Sequence, residues 1–411
     1  MKSNIKFYVI CVVLLALPGL ALAQKDEDEK QSRNSKNNEP VNLPRGMSLV
    51  ADIGLLNYDS NVYRTNDAAY VDLFQDPAGT ITVTPVVQSG FYFPLEAMVN
   101  YRHMLKKGVF ATTGLNMDGS LYTGPKLKDA TEYTLDYHLG LMYKTNRRAA
   151  IAELFFVNDK NIYYDRDSGD VKQSSGGADI SEKYVYSAYG VDMSYDYKRR
   201  KYDYFTSLLY ENRDYKDTTF VSQMDHNILE MAVGGGYKLA KPLKVSVGYE
   251  YAANKYSDRH ARQLNGKLFT SQPLLVYLYH TIDSRIRYRA GDNWIFSVKH
   301  KYQQRNDAGY QDYNDYVANE VSGNIVYRIN KFRVKTSAGF HSRDYANALA
   351  FDKPEGGAKT YSYYKAAFKT SYKLKKWLSI SGQLKYKDVV TNDLRYDYER
   401  YQISTGLKIK L

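Results

Sequence analysis

The chain has 411 residues, a formal net charge of +12, a single cysteine and 42 tyrosines. Mean hydropathy is −0.55, and after the N-terminus no run approaches the roughly 18–20 apolar residues of a membrane helix, which excludes a helical membrane protein. A positive net charge can indicate nucleic-acid binding, but these basic residues are distributed along the chain without forming one cluster, and the N-terminus predicts export. Nucleic acid is therefore not an expected partner.

The N-terminus has the pattern of a secretory signal peptide. Lys2 and Lys6 precede an apolar run, and Ala21-Leu22-Ala23 before Gln24 has the small-x-small form of a cleavage site. We predict cleavage after Ala23, so that residues 1–23 are removed. Loss of the two lysines takes the charge from +12 to +10 (12 − 2).

The mature chain is expected to begin with a polar lead-in. Cys11, the only cysteine, lies in the removed segment, so the mature protein has no disulfide and no cysteine for a lipid anchor. Residues 24–46 contain almost no apolar side chains, which predicts a disordered periplasmic segment. The remaining residues, 47–411, form the third predicted unit.

From Ser48 to Leu411 the chain repeats stretches in which apolar residues or Tyr occupy every second position. The stretch from Lys365 to Leu374 is one example and Gln402 to Leu411 is another. Alternation of this kind predicts β-strands with one apolar and one polar face. A secreted β-sandwich would hide its apolar faces between two layers, whereas an outer-membrane barrel would turn them to lipid. The export signal and the tyrosines, which suit a membrane interface, favour the barrel.

Connections between the predicted strands alternate in length from Lys106 onward. Seven are tight and polar: Lys106-Lys107-Gly108, Thr145 to Arg148, Lys198 to Lys201, Ala240-Lys241-Pro242, Ala290 to Asn293, Asn330-Lys331 and Lys375-Lys376. Eight are longer and rich in Asp, Asn, Ser and Gly: 59–78, 119–130, 159–181, 212–225, 255–271, 306–314, 344–358 and 390–397. Short periplasmic turns and long extracellular loops are typical of outer-membrane barrels.

Seven turns and eight loops join sixteen strands and place both termini in the periplasm. The region 79–105 is too long for one regular strand and contains Pro85 and Pro94, which cannot donate to a ladder. It is either one strand after an inward-folding loop or a kinked segment with two strands. The second option needs another strand elsewhere to restore an even number, which would give eighteen. We predict an all-β fold, a single antiparallel transmembrane barrel of about sixteen strands.

Trp294 and Trp377 each begin a strand beside a short turn, as expected of anchors at the periplasmic interface.

Strand phase assigns a face to the charged residues of those strands in which the apolar face is clear. Outward sets are Tyr133, Leu135, Tyr137, Leu139 and Leu141; Leu243, Val245, Val247, Tyr249 and Tyr251; and Ile403, Thr405, Leu407, Ile409 and Leu411. Strands up to about residue 250 then place an acidic wall in the lumen: Asp136, Glu153, Asp192, Asp196, Asp203 and Glu250. Later strands place a basic wall there: Arg285, Arg287, Arg289, Lys299, Lys301, Arg305, Arg328, Arg333, Lys335, Lys365, Lys369, Lys373, Lys385, Lys387, Lys408 and Lys410.

Charges at these positions must face water or a counter-charge, because a basic residue in lipid costs roughly 2–4 kcal/mol at the bilayer midplane. A sixteen-stranded barrel is wide enough for a water-filled channel. If the lumen is open, the two walls predict a transverse field and a net attraction for anions. The alternative is that the charges are only the polar inner face that any barrel needs, with opposing walls paired.

The sequence has no catalytic or metal-binding pattern. The seven histidines have no metal-ligand spacing; His138 and His341 fall on the lumen face, His300 on the lipid face, and the rest near strand ends or loops. Asp165 to Asp170 resembles a calcium loop, but the twelfth position is Gly176 where the loop needs Glu. Gly234-Gly235-Gly236 lies within a strand, where it would ease curvature or make room in the lumen. We expect no enzyme activity and no cofactor; an outer-membrane lipase or protease is the disfavoured alternative.

The first loop carries a recognisable motif. Tyr58-Asp59-Ser60-Asn61-Val62-Tyr63-Arg64-Thr65-Asn66-Asp67 is followed by Thr82-Val83-Thr84-Pro85. This segment, residues 58–85, resembles the opening of the beta-barrel porin 2 families. The resemblance implies an outer-membrane barrel, often associated with the export of exopolysaccharide or capsule.

Three functions remain open. The chain is a channel for hydrophilic, preferentially anionic solutes, or an outer-membrane component of polysaccharide export, or an adhesion or scaffold barrel with a plugged lumen. Expected partners are outer-membrane lipid, an anionic solute or polysaccharide, and the barrel-assembly machinery during biogenesis. The expected location is the outer membrane of a Gram-negative-type bacterium.

Overall fold

The computed structural model describes residues 46–411 except 65–69, 72–81, 84–86, 125–126, 128–129, 162–181, 183, 217–223, 267–270, 272, 309–311 and 351–355. The predicted signal peptide, residues 24–45 of the lead-in, Pro85 and the stretch Asp165 to Asp170 therefore lie outside the described residues. Within the described part of the chain, no helix combines the length and the apolar character needed to cross a membrane.

Strands dominate the fold. In chain order they are β1 (Met47–Gly54), β2 (Asn57–Asp59), β3 (Tyr70–Val71), β4 (Thr82–Val83), β5 (Gly90–Lys106), β6 (Val109–Thr123), β7 (Glu132–Lys144), β8 (Arg148–Asn161), β9 (Tyr184–Lys198), β10 (Tyr202–Tyr215), β11 (His226–Lys238), β12 (Leu243–His260), β13 (Leu274–Ala290), β14 (Trp294–Asp307), β15 (Tyr316–Ile329), β16 (Phe332–Leu349), β17 (Ala358–Lys373), β18 (Leu378–Thr391) and β19 (Tyr398–Lys410).

The main sheet closes on itself. Strands β5 to β19 follow in sequence order, each antiparallel to its neighbours, and β1 pairs with both β5 and β19. The short strand β2 makes the same two pairings, so β1 and β2 are two parts of one strand of the barrel. The result is a closed antiparallel barrel of 16 strands, which confirms the predicted fold. Strands β3 and β4 form a separate two-stranded sheet within the first long connection.

The break between β1 and β2 is a β-bulge. Ile53 lies opposite Leu95 and Leu407, and Tyr58 lies opposite Phe91 and Ile403. Four residues, 54–57, lie between Ile53 and Tyr58. Only three residues lie between the paired positions on each neighbouring strand, 92–94 on β5 and 404–406 on β19. The extra residue lets Ile53 and Tyr58 face the same way although their numbers differ in parity.

Pro94 explains the region that the sequence left ambiguous. Residues 90–106 form one strand, β5, which confirms the sixteen-strand alternative. Pairing of β5 with β1 ends at Leu95 and its pairing with β2 begins at Tyr92, so Pro94 lies beside the bulge, where a missing N–H is tolerated. A Cβ on Gly54 would lie 2.3 Å from Cγ and Cδ of Pro94, so the bulge needs glycine.

Substitution of Gly54 tests this close approach. We expect Gly54→Val to lower the free energy of unfolding by about 1–3 kcal/mol, because the rigid proline ring cannot move aside. The measurement is urea unfolding of the folded barrel, followed by tryptophan fluorescence. Gly382→Val is the matched control, since a Cβ there meets nothing closer than Thr370 Oγ1 at 3.6 Å. Equal destabilisation by both variants would show that the approach of Pro94 is not the cause.

Short and long connections lie at opposite ends of the barrel. The seven short ones are 107–108, 145–147, 199–201, 239–242, 291–293, 330–331 and 374–377, and the eight long ones are 60–89, 124–131, 162–183, 216–225, 261–273, 308–315, 350–357 and 392–397. We call these the turn end and the loop end. Both counts match the prediction.

Several strands run further than predicted. Strand β12 continues to His260 and β16 to Leu349, into the segments 255–271 and 344–358 that were predicted as loops. Both strands change register there, between Lys255 and His260 and between Asp344 and Leu349. The backbone ladder continues where apolar alternation stops, because hydrogen bonding between strands does not require an apolar face.

Candidate functional site

The inner face of the barrel is identified by side chains that converge from distant strands. Asp52, Glu96, Asp118, Lys369 and Lys385 line one cavity of about 390 Å³, although their strands are not all neighbours. Directly opposed residues in an antiparallel sheet share a face, so the pairing register extends this assignment to every strand. The other face carries exposed apolar residues, including Leu141, Val247 and Ile403 of the predicted outward sets.

The register places the predicted basic residues on the inner face. Arg285 lies opposite Lys299, Arg328 opposite Arg333, Lys335 opposite Lys369, and Lys365 opposite Lys387. The remaining members share these phases: Arg287, Arg289, Lys301, Arg305, Lys373, Lys385, Lys408 and Lys410. Their role toward a solute stays a prediction.

The predicted acidic residues also lie on the inner face, on the opposite wall. Glu153 lies opposite Asp192, and Asp136, Asp196, Asp203 and Glu250 share that phase. The same face carries further acids that sequence reasoning missed: Asp52, Asp59, Glu96, Asp118, Glu132, Asp159, Glu211 and Glu230. Strand phase could have identified most of these acids. In β6, for example, the outward positions of Leu115 and Leu121 imply that Asp118 faces inward.

The two walls are segregated by charge. Between β13 and β19, the inward acids among the described strand residues are Asp283, Asp307 and Glu320. Ion pairs join Lys299 to Asp283 at 2.9 Å, Lys408 to Asp52 at 3.7 Å, and Lys365 to Glu320. No carboxylate of the described residues lies within 4.0 Å of the charged nitrogens of Arg285, Arg287 or Lys301. The basic wall therefore retains excess positive charge.

The exposure of the inward side chains changes along the lumen. At the turn end, Arg285, Arg287 and Arg289 are exposed. Toward the loop end, inward side chains stack on each other in what we call the loop-end belt: Tyr277, Arg305, Tyr316, Arg343 and Tyr361. The Arg305 guanidinium lies 4.3 Å from the ring centre of Tyr277 and 4.4 Å from that of Tyr316, and Arg343 lies 4.5 Å from Tyr316. Tyr277 and Tyr316 are buried, so inward side chains pack more closely in the belt than at the turn end.

Asp59 joins the first strand of the barrel to the last. It is fully buried, and its carboxylate accepts hydrogen bonds from Arg400 Nε at 2.9 Å, Gln402 Nε2 at 3.0 Å, Tyr122 Oη at 3.2 Å and the Asn61 amide at 3.1 Å. Because Arg400 and Gln402 belong to β19, this cluster closes the barrel on its inner side. Asp59 is the first acid of the motif 58–67, and the resemblance carried by that motif does not predict this closing role.

The residues after Asp59 begin the first long connection by folding against the barrel. Val62 and Tyr63 form a buried apolar cluster with Leu127 and Ala130 of the next long connection. The Val62 amide donates to the Gln88 carbonyl at 2.8 Å, which holds this entry segment near the start of β5. Val62 and Ala130 also line the 390 Å³ cavity, so this cluster lies on the inner side of the barrel at the loop end.

The structure shows where the histidines lie and what surrounds the glycines of β11. His138 and His341 face inward and His300 faces outward, as predicted. His280 was expected near a strand end; instead it lies within β13 on the outer face, with Nδ1 2.7 Å from the Tyr249 hydroxyl oxygen. Gly236 leaves room for the ion pair of Lys244 with Asp203, since a Cβ there would lie 2.4 Å from Lys244 Cε. In the described part of the chain, no three His, Cys, Asp or Glu side chains are grouped to hold a metal ion.

Both tryptophans lie at the turn end. Trp294 is the first residue of β14, is 42% exposed, and stacks on Phe296 with ring centres 6.0 Å apart. Trp377 precedes β18 directly, with Lys375 Nζ 5.8 Å from its ring centre. Their action as interface anchors stays a prediction.

The chain is similar to solved bacterial barrels in fold. It matches a loop-deletion variant of OmpT, an outer membrane protein of Vibrio cholerae, with 10% identity, a TM-score of 0.44, and coverage of 89% of this chain and 100% of that one. A bacterial polysaccharide outer membrane secretin matches with 8% identity, a TM-score of 0.45, and coverage of 89% and 98%. A mutant Rh. blastica porin matches with 12% identity, a TM-score of 0.35, and coverage of 89% and 99%.

No family profile matches the sequence, and no curated protein matches it. The resemblance to the beta-barrel porin 2 families therefore stays a prediction.

Proposed function

We propose that this protein is an outer-membrane channel for hydrophilic solutes, with a preference for anions. The observation that carries the proposal is the inner basic wall of β13–β19, where most cations have no carboxylate of the described residues within 4.0 Å. A barrel with an apolar outer face and a charged inner face suits lipid outside and water inside. The predicted signal peptide agrees with this location.

Anions gain from the asymmetry of the lumen. Fixed charges inside low-dielectric walls concentrate counter-ions and raise their rate of entry. On the acidic wall, Lys244 pairs with Asp203 at 2.5 Å, which reduces the attraction of that wall for cations. The exposed arginines at the turn end, Arg285, Arg287 and Arg289, make the mouth at that end basic. Permeating anions would therefore pass along β13–β19.

Conductance tests whether a path exists. The purified, folded barrel is reconstituted in planar bilayers, and we expect single-channel steps in KCl. Folding is checked on the same sample by heat-dependent migration in SDS gels. A folded barrel that inserts without conducting would contradict the channel and support the predicted scaffold barrel. Polysaccharide export, the function implied by the resemblance, needs the same open path and stays a prediction.

A second candidate, the scaffold barrel with a closed lumen, is favoured by the loop-end belt and by the buried entry segment Val62 and Tyr63. The two candidates differ in what the belt does. In a channel the belt limits conductance, so Tyr316→Ala should raise single-channel conductance by roughly twofold, because the ring lies on the inner wall. Tyr327→Ala, on the outer face of the same strand, is the control. An unchanged conductance with Tyr316→Ala would show that the belt does not limit the path.

A further inference from the structure

Five lysines of the basic wall lie together on three neighbouring strands. Lys335 of β16 lies directly opposite Lys369 of β17, and Lys365 of β17 lies directly opposite Lys387 of β18. Lys385 lies two positions from Lys387 on the same face. Like charges directly opposite each other destabilise a sheet, so the arrangement costs stability unless something neutralises it. We call these five residues the lysine patch.

Few carboxylates lie within ion-pair distance of the lysine patch, although Lys369 and Lys385 also line the 390 Å³ cavity that contains Asp52, Glu96 and Asp118. Glu320 pairs with Lys365. The Lys387 ammonium lies 4.8 Å from the ring centre of Tyr363 and 5.4 Å from that of Tyr398, contacts that leave its charge uncompensated. Among the described residues, no carboxylate oxygen lies within 4.0 Å of Nζ of Lys335, Lys369, Lys385 or Lys387.

Small residues form the floor of the lysine patch. Ser337 lies opposite Ala367, and Ala367 lies opposite Lys385, so the middle of the patch has no large side chain. Gly339 accommodates Lys365, since a Cβ there would lie 2.9 Å from Lys365 Cε. The lysines thus stand around a shallow floor.

A cavity of about 380 Å³ occupies this place. Four patch lysines line it (Lys335, Lys365, Lys385 and Lys387), together with Arg400 and polar side chains that include Ser337, Asn324 and Gln402. Among the residues that the structure describes, no Asp or Glu lines this cavity. Ligand sites in proteins commonly have volumes of roughly 300–1,000 Å³, so the cavity is large enough for a small solute.

We propose that the lysine patch binds a phosphate group, either inorganic phosphate or a phosphate monoester. A lysine ammonium is a compact charge with three donors, and several ammoniums can surround a tetrahedral oxyanion from different sides. The planar fork of arginine suits a carboxylate better, and Arg400, which also lines the cavity, already binds Asp59. A phosphate would neutralise the lysines that lack an acid. The inference rests on the proposed function, because the ligand would reach the patch through the lumen.

Phosphate titration of the folded barrel tests the site. Isothermal titration with inorganic phosphate should show saturable binding, and phosphate should reduce chloride conductance over the same concentration range. The variant Lys335→Gln, Lys385→Gln, Lys387→Gln should raise the Kd about tenfold or more, because it removes three charged donors of hydrogen bonds to the phosphate. The matched control is Arg285→Gln, Arg287→Gln, Arg289→Gln, which removes the same charge from the turn end of the same wall. We expect the control to change the Kd by less than about threefold.

The outcomes separate the site from the channel. Equal losses in the two triple variants would overturn the site, because only the general field of the wall would then matter. Acetate that binds as tightly as phosphate would overturn the assignment to a tetrahedral oxyanion. Absence of phosphate binding in a conducting barrel would overturn the site and leave the proposed function intact. Phosphate binding in a barrel that does not conduct would support the site and contradict the channel.

Discussion

Replacing Asp59→Ala is expected to lower the free energy of unfolding of the barrel by about 3–5 kcal/mol, the cost of removing one partner of a buried ion pair. Asp59 is fully buried and receives hydrogen bonds from Arg400, Gln402, Tyr122 and the Asn61 amide. The substitution would leave the Arg400 charge without its carboxylate. It would also weaken the contact between the first and last strands, which alone closes the sheet.

Urea unfolding of the folded barrel measures this effect. Asp52→Ala is the matched control, because Asp52 is another inward acid of the first strand that pairs with β19. Its partner Lys408 lies 3.7 Å away, and the lysine side chain is 37% exposed, so we expect a loss below about 1 kcal/mol. A double variant, Asp59→Ala with Arg400→Met, should recover part of the loss, since it removes the unpaired charge. Similar losses for Asp59→Ala and Asp52→Ala would contradict the special role of Asp59.

Neutralising part of the basic wall is expected to reduce anion preference strongly. In the variant Arg285→Gln, Arg287→Gln, Lys299→Gln, Lys301→Gln, four inward cations of two adjacent strands are lost, and Asp283 loses its partner Lys299. We expect the ratio of chloride to potassium permeability to fall by a factor on the order of ten, because the fixed positive field in the lumen is removed and an acid is exposed.

The acidic wall provides the opposite control. Asp136→Asn, Glu153→Gln, Asp192→Asn and Asp196→Asn together remove four charges of the other sign from the same lumen. That variant should raise anion preference. Both variants are measured as reversal potentials in bilayers across a KCl gradient, with conductance recorded as a check that the path is still open. If both shifted selectivity in the same direction, the charged walls would not be its cause.

Alternation along the chain, together with the alternating lengths of its connections, was enough to predict a barrel of about sixteen strands. It did not give the full length of β12 and β16 or the inward acids of β1, β2, β5 and β6. The bulge between β1 and β2 could not be read in the same way. Leu55 and Leu56 are consecutive apolar residues in an otherwise alternating segment, and only the paired positions of Ile53 and Tyr58 show that one residue is inserted. Pro94 indicates that the region is irregular, but the cause of the irregularity is the bulge on the neighbouring strand, between β1 and β2.

Contacts across the closure and within the walls depend on register, which alternation does not determine. Asp59 and Arg400 are 341 positions apart, and they meet because the first and last strands pair. The basic face of β16–β18 was predictable from strand phase. That Lys335 opposes Lys369 and Lys365 opposes Lys387 depends on how far each strand slides along its neighbour, and this is set by turn length and bulges.

The most direct test of the central claim is the reversal potential of the unmodified, folded barrel across a KCl gradient. An anion-preferring lumen predicts a zero-current potential displaced toward the chloride equilibrium potential, with a displacement that shrinks at high salt as the wall charges are screened. A potential at zero, or one displaced toward the potassium equilibrium potential, would contradict the claim that the inner basic wall selects anions.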